Sequence, residues 1–305
     1  MTDYPKDWYL DALPADALSF DIPLSGYTTI KVGGPAKILM QARDEQEIAR
    51  AIKAAKAHDV PVLLIGRGSN LLIDDTGFDG LVIHFGDQFA KVSLEGDTIV
   101  AQAGASLPAI ARLAAENALS GLEFAAGIPA SVGGAALMNC GAYGGEVSRV
   151  IRHVDCLDRF GDPARLEWED ICYGYRQSRL MDEGYIVLSV TMQLIPADSD
   201  EVWERLNENQ AQRRLKQPLS YPSAGSFFKR PEGHFAGALI EQSGLKGYRV
   251  GDAMVSTLHA GFLVNDGQAR ASDFLALMDH IQTTVYDNFG VRLEPEVRII
   301  RPDEQ

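Results

Sequence analysis

The segment GIPASVGGAALMNCGAYGGE (127–146) decides how the rest of the chain is read. Six of its twenty positions are glycine, more than turns alone require. Glycine carries no Cβ, so a backbone rich in it can lie close against a bulky or phosphorylated ligand, or against another backbone. Gly133 and Gly134 stand directly before the small apolar run AALM, the pattern of main chain laid on a ligand and then packed inward. A cofactor cradle explains the segment. It would draw on Gly127, Ile128, Pro129, Ser131, Val132, Gly133, Gly134, Asn139, Gly141 and Ala142. A close-packed helix crossing is the competing explanation.

A second glycine loop lies upstream. GRGSNLL (66–72) follows the apolar, strand-like VPVLLI (60–65), and its residues Gly66, Arg67, Gly68, Ser69 and Asn70 can turn several N–H groups toward a pyrophosphate. No GK[ST] follows, so it is not a P-loop, and it is not GxGxxG. A plain tight turn is the alternative. A Rossmann dehydrogenase is disfavoured, since no GxGxxG follows a first strand with an acid about 20 residues on.

Between and around these loops the hydrophobic pattern alternates irregularly. ILMQA (38–42), LVIHF (81–85), KVSL (91–94), TIVAQA (98–103), RHVDCLD (152–158) and YIVLSVTMQL (185–194) read as strands. Asp44 with Glu47 three residues on predicts a capped helix carrying Ile48, Ala51, Ile52 and Ala55 on its apolar face. Ser106 predicts the start of a second helix running to about Leu119. Pro196 and the acidic DSDE (198–201) mark the expected domain boundary, followed by a polar helix over 200–215. Farther on, AGFLVN (260–265) reads as a strand. Ser272 is the expected cap of a long helix with the stripe Phe274, Leu275, Met278, Ile281 and Val285, and Gly290 sits at its C′ position. VRLEPEVRII (291–300) reads as the last strand. Residues 1–26 look like an arm without clear period. Short, hairpin-like strands mixed irregularly with helices predict an α+β fold rather than a doubly wound parallel sheet.

The 305 residues suffice for about two domains and a sizeable core. Acids outnumber bases 42 to 28, giving a net charge of −14, which argues against a nucleic-acid or anionic-membrane surface. A phosphorylated ligand is not excluded, because backbone amides and a few local cations can hold one. No apolar run is long enough for a membrane span, and the N-terminus MTDYPKDWYL lacks the pattern of a secretory signal. Cys140, Cys156 and Cys172 fit neither a disulfide framework nor a metal site; they read as buried small hydrophobes in a reducing cytoplasm, and no metal is expected.

Taken together, the two loops resemble the FAD-binding domain of the vanillyl-oxidase type. The match extends further. KVGGPA (31–36), GRGSNLLIDDTGFDGLVI (66–83), GIPASVGGAALMNCGAYGGEV (127–147), YGYRQSR (173–179), PSAGSFFKRPEGHFAGALIE (222–241), GLKGYRVGDAMVSTLHAGFLVN (244–265) and LEPEVRII (293–300) resemble, in order, the UDP-N-acetylenolpyruvoylglucosamine reductase family, in its shorter branch. The resemblance spans about Tyr27 to Ile300. It implies a two-lobed FAD-binding domain over 27–197 and a C-terminal α+β substrate domain over 198–305. It also implies a cytoplasmic flavoenzyme of peptidoglycan precursor synthesis, in which NADPH is the reductant and the enolpyruvyl group of UDP-N-acetylglucosamine enolpyruvate is reduced to UDP-N-acetylmuramate. A monomer is compatible with that reading. Departures are small: Ala130, Asp252 and Leu258 stand where the family often has glycine, glycine and lysine.

Residue roles follow from the same resemblance. Arg176 matches the arginine that binds the substrate carboxylate, a task suited to a planar guanidinium; Arg179 is its near competitor, and a surface ion pair is the alternative. Ser226, in AGSFF, matches the proton donor, although a turn serine would look the same. Glu296, rather than Glu294, matches the glutamate of EVR, which acts as an acid only if its environment raises its pKa; a solvated strand face is the alternative. Lys229 and Arg230, with Lys216 and Lys246 in matched segments, are candidates for phosphate contacts. Tyr175 and Asn265 are candidate substrate contacts, Tyr143 can stack, and His259 reads as structural. The alternatives in other classes are a general flavin oxidase and a flavin-free UDP-sugar binder.

Overall fold

The computed structural model describes residues 8, 9 and 13–302. In the helix Glu45–Ala57, Asp44 holds the N-cap position and its carboxylate accepts the amide of Glu47 at 2.8 Å. That satisfies one of the donors every helix start leaves open. Ile48, Ala51, Ile52 and Ala55 then share one buried face, as their spacing predicts.

The chain divides into two compact units. The first holds the residues up to Phe20, Ile38–Arg67 and Gly80–Arg213; the second holds Asp21–Lys37, Gly68–Asp79 and everything from Arg214 onward. In the first unit an antiparallel five-stranded sheet runs in the order Pro163–Glu167, Ile151–Leu157, Ile186–Gln193, Thr98–Gln102, Val92–Glu95. The strand Val62–Ile65 pairs in parallel with Phe78–His84, Val62 opposite Leu81. Ile38, Ile48, Ile83, Ile99, Val154 and Val190 belong to one continuous core, and the helix Leu107–Glu116 adds Ile110, Ala111 and Ala114 to it.

The second unit is built on an antiparallel sheet ordered Ser223–Ser226, Phe262–Asn265, Ala253–Val255, Arg249–Val250. A parallel pair, Leu71–Ile73 with Arg298–Ile300, joins two distant parts of the chain. The helix Ala271–Phe289 buries Phe274, Leu277, Met278, Ile281 and Val285; Leu277 takes the fully buried place that the stripe assigned to Leu275. Gly290 ends this helix in the left-handed conformation, φ 70°, with its amide on the Tyr286 carbonyl at 2.7 Å. No described helix is long and apolar enough to cross a membrane.

Several expectations are corrected. The arm of residues 1–26 contains the strand Leu18–Pro23, at the edge of a four-stranded sheet, and Leu13 and Ala17 are core residues. An edge strand with no buried side chain leaves no alternation to read; residues 1–7 and 10–12 lie outside the described residues. Ser106 stands at the N-cap as expected, but its helix ends at Glu116, short of Leu119. Ser272 is not a cap. Arg270 holds that position, and the carboxylate of Asp75, 196 residues from Ala271, accepts the amides of Ala271 and Ser272 at 2.7 and 3.1 Å. The last strand is only Arg298–Ile300, because the Glu296 amide that would extend the ladder donates to the Phe227 carbonyl instead.

The expected boundary at 197/198 differs from the division of the units. The helix Ser199–Lys216 buries Val202 and Leu206 in the first unit's core, and Arg205 pairs with Glu123 at 3.0 Å, so compactness divides the chain at 213/214. Finally, Cys156 is buried and Cys140 half-buried, but Cys172 is exposed and left-handed, φ 52°, so it is no core residue.

Candidate active site

The two glycine segments meet at Gly66 and Ser131. A Cβ on Gly66 would lie 2.1 Å from Ser131 Oγ, so no larger residue fits. Ser131 is the N-cap of the helix Val132–Leu137, and its hydroxyl accepts the Gly134 amide at 3.3 Å. The amides of Val132 and Gly133 donate to the carbonyls of Ala105 and Ala103, each at 2.9 Å. They are therefore committed to the fold. A Cβ on Gly133 would sit 2.8 Å from that of Ala103, so the close-crossing explanation holds for Gly133. Gly134 is exposed, and a Cβ there would meet Ser131 Oγ at 3.4 Å, an ordinary contact.

Other amides remain for a ligand. The main-chain N–H groups of Gly66, Arg67, Gly68, Ser69 and Asn70 donate to no described residue, nor do those of Gly127, Ser131 and Asn139. Gly68 is left-handed, φ 58°, and a Cβ there would lie 2.0 Å from the Tyr27 carbonyl oxygen. Only glycine turns the loop at that point. A run of amides without main-chain partners among the described residues, on a glycine-rich turn, is the chemistry that holds an anionic dinucleotide without a Rossmann helix, so the residues present fit FAD.

Arg213 was missed, because a polar helix reads as a solvated face. Its Cδ would be 2.6 Å from a Cβ on Gly127, which places it against the glycine segment. Burial pulls its pKa below that of an ordinary guanidinium, against the opposite pull of Tyr143 and Cys140.

Arg176 lies in the first unit and is tied to the glycine segment. Its Nη1 donates to the Asn139 carbonyl at 3.0 Å and its Nη2 to the Gly141 carbonyl at 2.8 Å. Its guanidinium stands 5.2 Å from the centre of the exposed Tyr175 ring. The competitor Arg179 pairs with Glu183 at 2.7 Å on the surface.

Ser226 and Glu296 lie in the second unit on neighbouring segments. Ser226 ends its strand and is exposed; Glu296 is half-buried, and its amide donates to the carbonyl of Phe227 at 2.9 Å. Asn70 Nδ2 donates to the Glu296 carbonyl at 3.0 Å, and the Arg298 amide donates to the Asn70 carbonyl at 3.0 Å. Glu294 is occupied differently: its carboxylate pairs with Lys229 Nζ at 3.4 Å. Arg230 is exposed, with its guanidinium 4.0 Å from the Phe235 ring centre.

Asn265, expected as a substrate contact, is engaged within the fold. It is buried, its Nδ2 donates to the Ile30 carbonyl, and its Oδ1 accepts the amides of Gly267 and Ala269. Those three bonds make it a turn lock. His259, as expected, is structural: Nδ1 accepts the Gly261 amide at 3.1 Å, and burial lowers its pKa.

Two family models match the chain: an FAD binding domain over residues 36–167, and the C-terminal domain of UDP-N-acetylenolpyruvoylglucosamine reductase over residues 217–300. A UDP-N-acetylenolpyruvoylglucosamine reductase of Clostridium tetani is 45% identical, covering 92% of this chain and 91% of that protein. One of Agathobacter rectalis is 47% identical, covering 95% and 96%. The crystal structure of UDP-N-acetylenolpyruvylglucosamine reductase from Thermus caldophilus superposes with a TM-score of 0.80 at 38% identity, over 92% of this chain and 97% of that one. Phl p 4.0202, a glucose dehydrogenase, shares the fold alone, with a TM-score of 0.51 at 17% identity over 64% of this chain and 45% of that one. The α+β architecture is that of a vanillyl-oxidase-type FAD-binding domain followed by a C-terminal domain, and the chain belongs to the UDP-N-acetylenolpyruvoylglucosamine reductase family.

Proposed function

We propose that this chain reduces the enolpyruvyl double bond of UDP-N-acetylglucosamine enolpyruvate to give UDP-N-acetylmuramate, a peptidoglycan precursor, with NADPH as electron source. The observation that carries the reading is that the segment of the exposed Ser226 adjoins that of the half-buried Glu296, through the Glu296 amide on the Phe227 carbonyl, and that the Glu296 carbonyl is held by Asn70 of the GRGSN loop. A proton donor, a carboxyl group and a dinucleotide loop are the parts this chemistry needs.

Bound FAD would supply the two-electron redox chemistry between NADPH and the substrate, and the amides of Gly66 through Asn70, with those of Gly127, Ser131 and Asn139, would hold it. Hydride addition to the terminal carbon drives electron density toward the carbon bearing the carboxylate, so the substrate passes through an enolate-like dianion. Arg176 holds the substrate carboxylate. Its guanidinium is already set by the carbonyls of Asn139 and Gly141, so little reorganisation accompanies binding. Ser226 delivers the proton that completes the product; a serine hydroxyl is a weak acid and acts only when positioned and resupplied with a proton. Glu296 polarises the forming enolate. Lys229 and Arg230 attract the diphosphates.

Anaerobic stopped-flow mixing tests the reading. NADPH should bleach the flavin of the purified holoenzyme, and the enolpyruvyl nucleotide should restore its colour. Reduced protein that reacts rapidly with oxygen but not with the nucleotide would indicate a general oxidase. Colourless protein that cannot be reconstituted with FAD would indicate a flavin-free sugar-nucleotide binder.

A further inference from the structure

We propose that the side chain of Asn70 is a positioning residue for Glu296, an assignment that rests on the catalytic role given to Glu296 above. Asn70 directly precedes the strand Leu71–Ile73, whose parallel ladder begins at Leu71 opposite Arg298. Glu296 lies two residues before that ladder, and its amide, which would extend it, is committed elsewhere. On one side its main chain is held at Phe227, whose carbonyl accepts the amides of Glu296 at 2.9 Å and Val297 at 3.4 Å. That anchor is firm: Phe227 is buried and its own amide donates to Gly261 at 2.9 Å. The other side is held by Asn70, whose carbonyl accepts the Arg298 amide while its Nδ2 donates to the Glu296 carbonyl. One residue thus spans Val297 with two bonds and continues the ladder through its carboxamide.

Few side chains do this. Aspartate has the same shape but no donor, alanine has neither group, and glutamine reaches one methylene too far. The carboxamide donates to Glu296, whereas what Asn70 would offer a dinucleotide is its main-chain amide, which every substitution but proline retains. The two roles of one residue are therefore separable.

The experiment compares Asn70→Asp, Asn70→Gln and wild-type holoenzyme. Amide hydrogen exchange, followed with and without FAD, should show faster exchange at Glu296 and Arg298 in both variants, with the sheet at 253–265 unchanged. In anaerobic half-reactions, reoxidation by the enolpyruvyl nucleotide should slow about tenfold to a hundredfold more than reduction by NADPH, the scale of a misplaced catalytic group. Unchanged exchange at Glu296 would overturn the proposal, and so would equal slowing of the two half-reactions. Wild-type enzyme that the nucleotide fails to reoxidise would sink the functional reading instead, and exchange would then decide the clamp by itself.

Discussion

Arg176 donates from Nη1 to the Asn139 carbonyl at 3.0 Å, while Asn139 donates from its own Nδ2 to the Gly174 carbonyl at 3.0 Å. Each residue thereby anchors the other's loop, closing the YGYR turn onto the glycine segment. The Asn139 side chain is completed by the Ser148 amide on Oδ1 at 3.2 Å. Both residues are held left-handed, φ 56° at Arg176 and φ 42° at Asn139, a conformation that side chains other than glycine adopt at a cost of about 1 kcal/mol or more. The fork of hydrogen bonds stabilises it.

Arg176→Lys tests that fork. Lysine keeps the charge and has no better left-handed preference, so the backbone is not the variable. It is a point donor and cannot bond two carbonyls while presenting a planar edge to a carboxylate. Loss of a charge-assisted pair of about 2 kcal/mol should lower turnover of the enolpyruvyl nucleotide roughly thirtyfold, with FAD content retained. Steady-state kinetics on flavin-replete protein measures it, and unchanged turnover would refute the carboxylate role.

What was legible in the sequence follows the range of the interactions. The Asp44 cap acts over three residues and Gly290 ends its helix locally, so both could be read directly. The cap of the long helix comes from Asp75, and the bond holding Glu296 comes from Asn70, 226 residues away; no local pattern encodes either. Motif matching placed Arg176, Ser226 and Glu296 in recognisable blocks, while the apolar strand around Asn265 hides that its carboxamide locks a turn. Arg213 escaped because burial against Gly127 is tertiary, while its sequence neighbours are polar.

Asp75→Asn addresses the long-range cap. Burial works to raise the pKa of Asp75, but it is outweighed by hydrogen bonds from the Ser272 hydroxyl and the Ala271 and Ser272 amides and by the charge of Arg270, so the net shift is downward. A folded-state pKa below the unfolded value stabilises the fold above about pH 4. That contribution is lost as pH falls through the folded value. The substitution should cost about 1 kcal/mol at pH 7, and urea denaturation at falling pH should show wild type and variant converging below about pH 4. A pH-independent difference would mean that charge is not involved.

Gly66→Ala probes the meeting of the two glycine segments. The new methyl would displace the Ser131 hydroxyl from its cap on the Gly134 amide, costing about 1–2 kcal/mol and weakening FAD retention. Ser131→Gly removes the clashing atoms. A double-mutant cycle by thermal denaturation should therefore give a coupling of about 1 kcal/mol or more, with the double variant more stable than the sum of the single changes predicts. Simple additivity would show that the two segments do not touch.

Ser226→Ala separates chemistry from architecture. The main chain of Ser226 pairs with Phe262 in the sheet, and alanine preserves that pairing. The exposed hydroxyl is therefore removed without taking a strut from the fold, and the melting temperature should not move. General acid catalysis contributes about 10²–10⁴-fold, so reoxidation by the enolpyruvyl nucleotide should fall on that scale while reduction by NADPH changes far less. Ser226→Cys, which restores a proton donor of similar reach, should recover part of the loss. If both half-reactions fall together and cysteine restores neither, the hydroxyl is structural and the proton comes from another group.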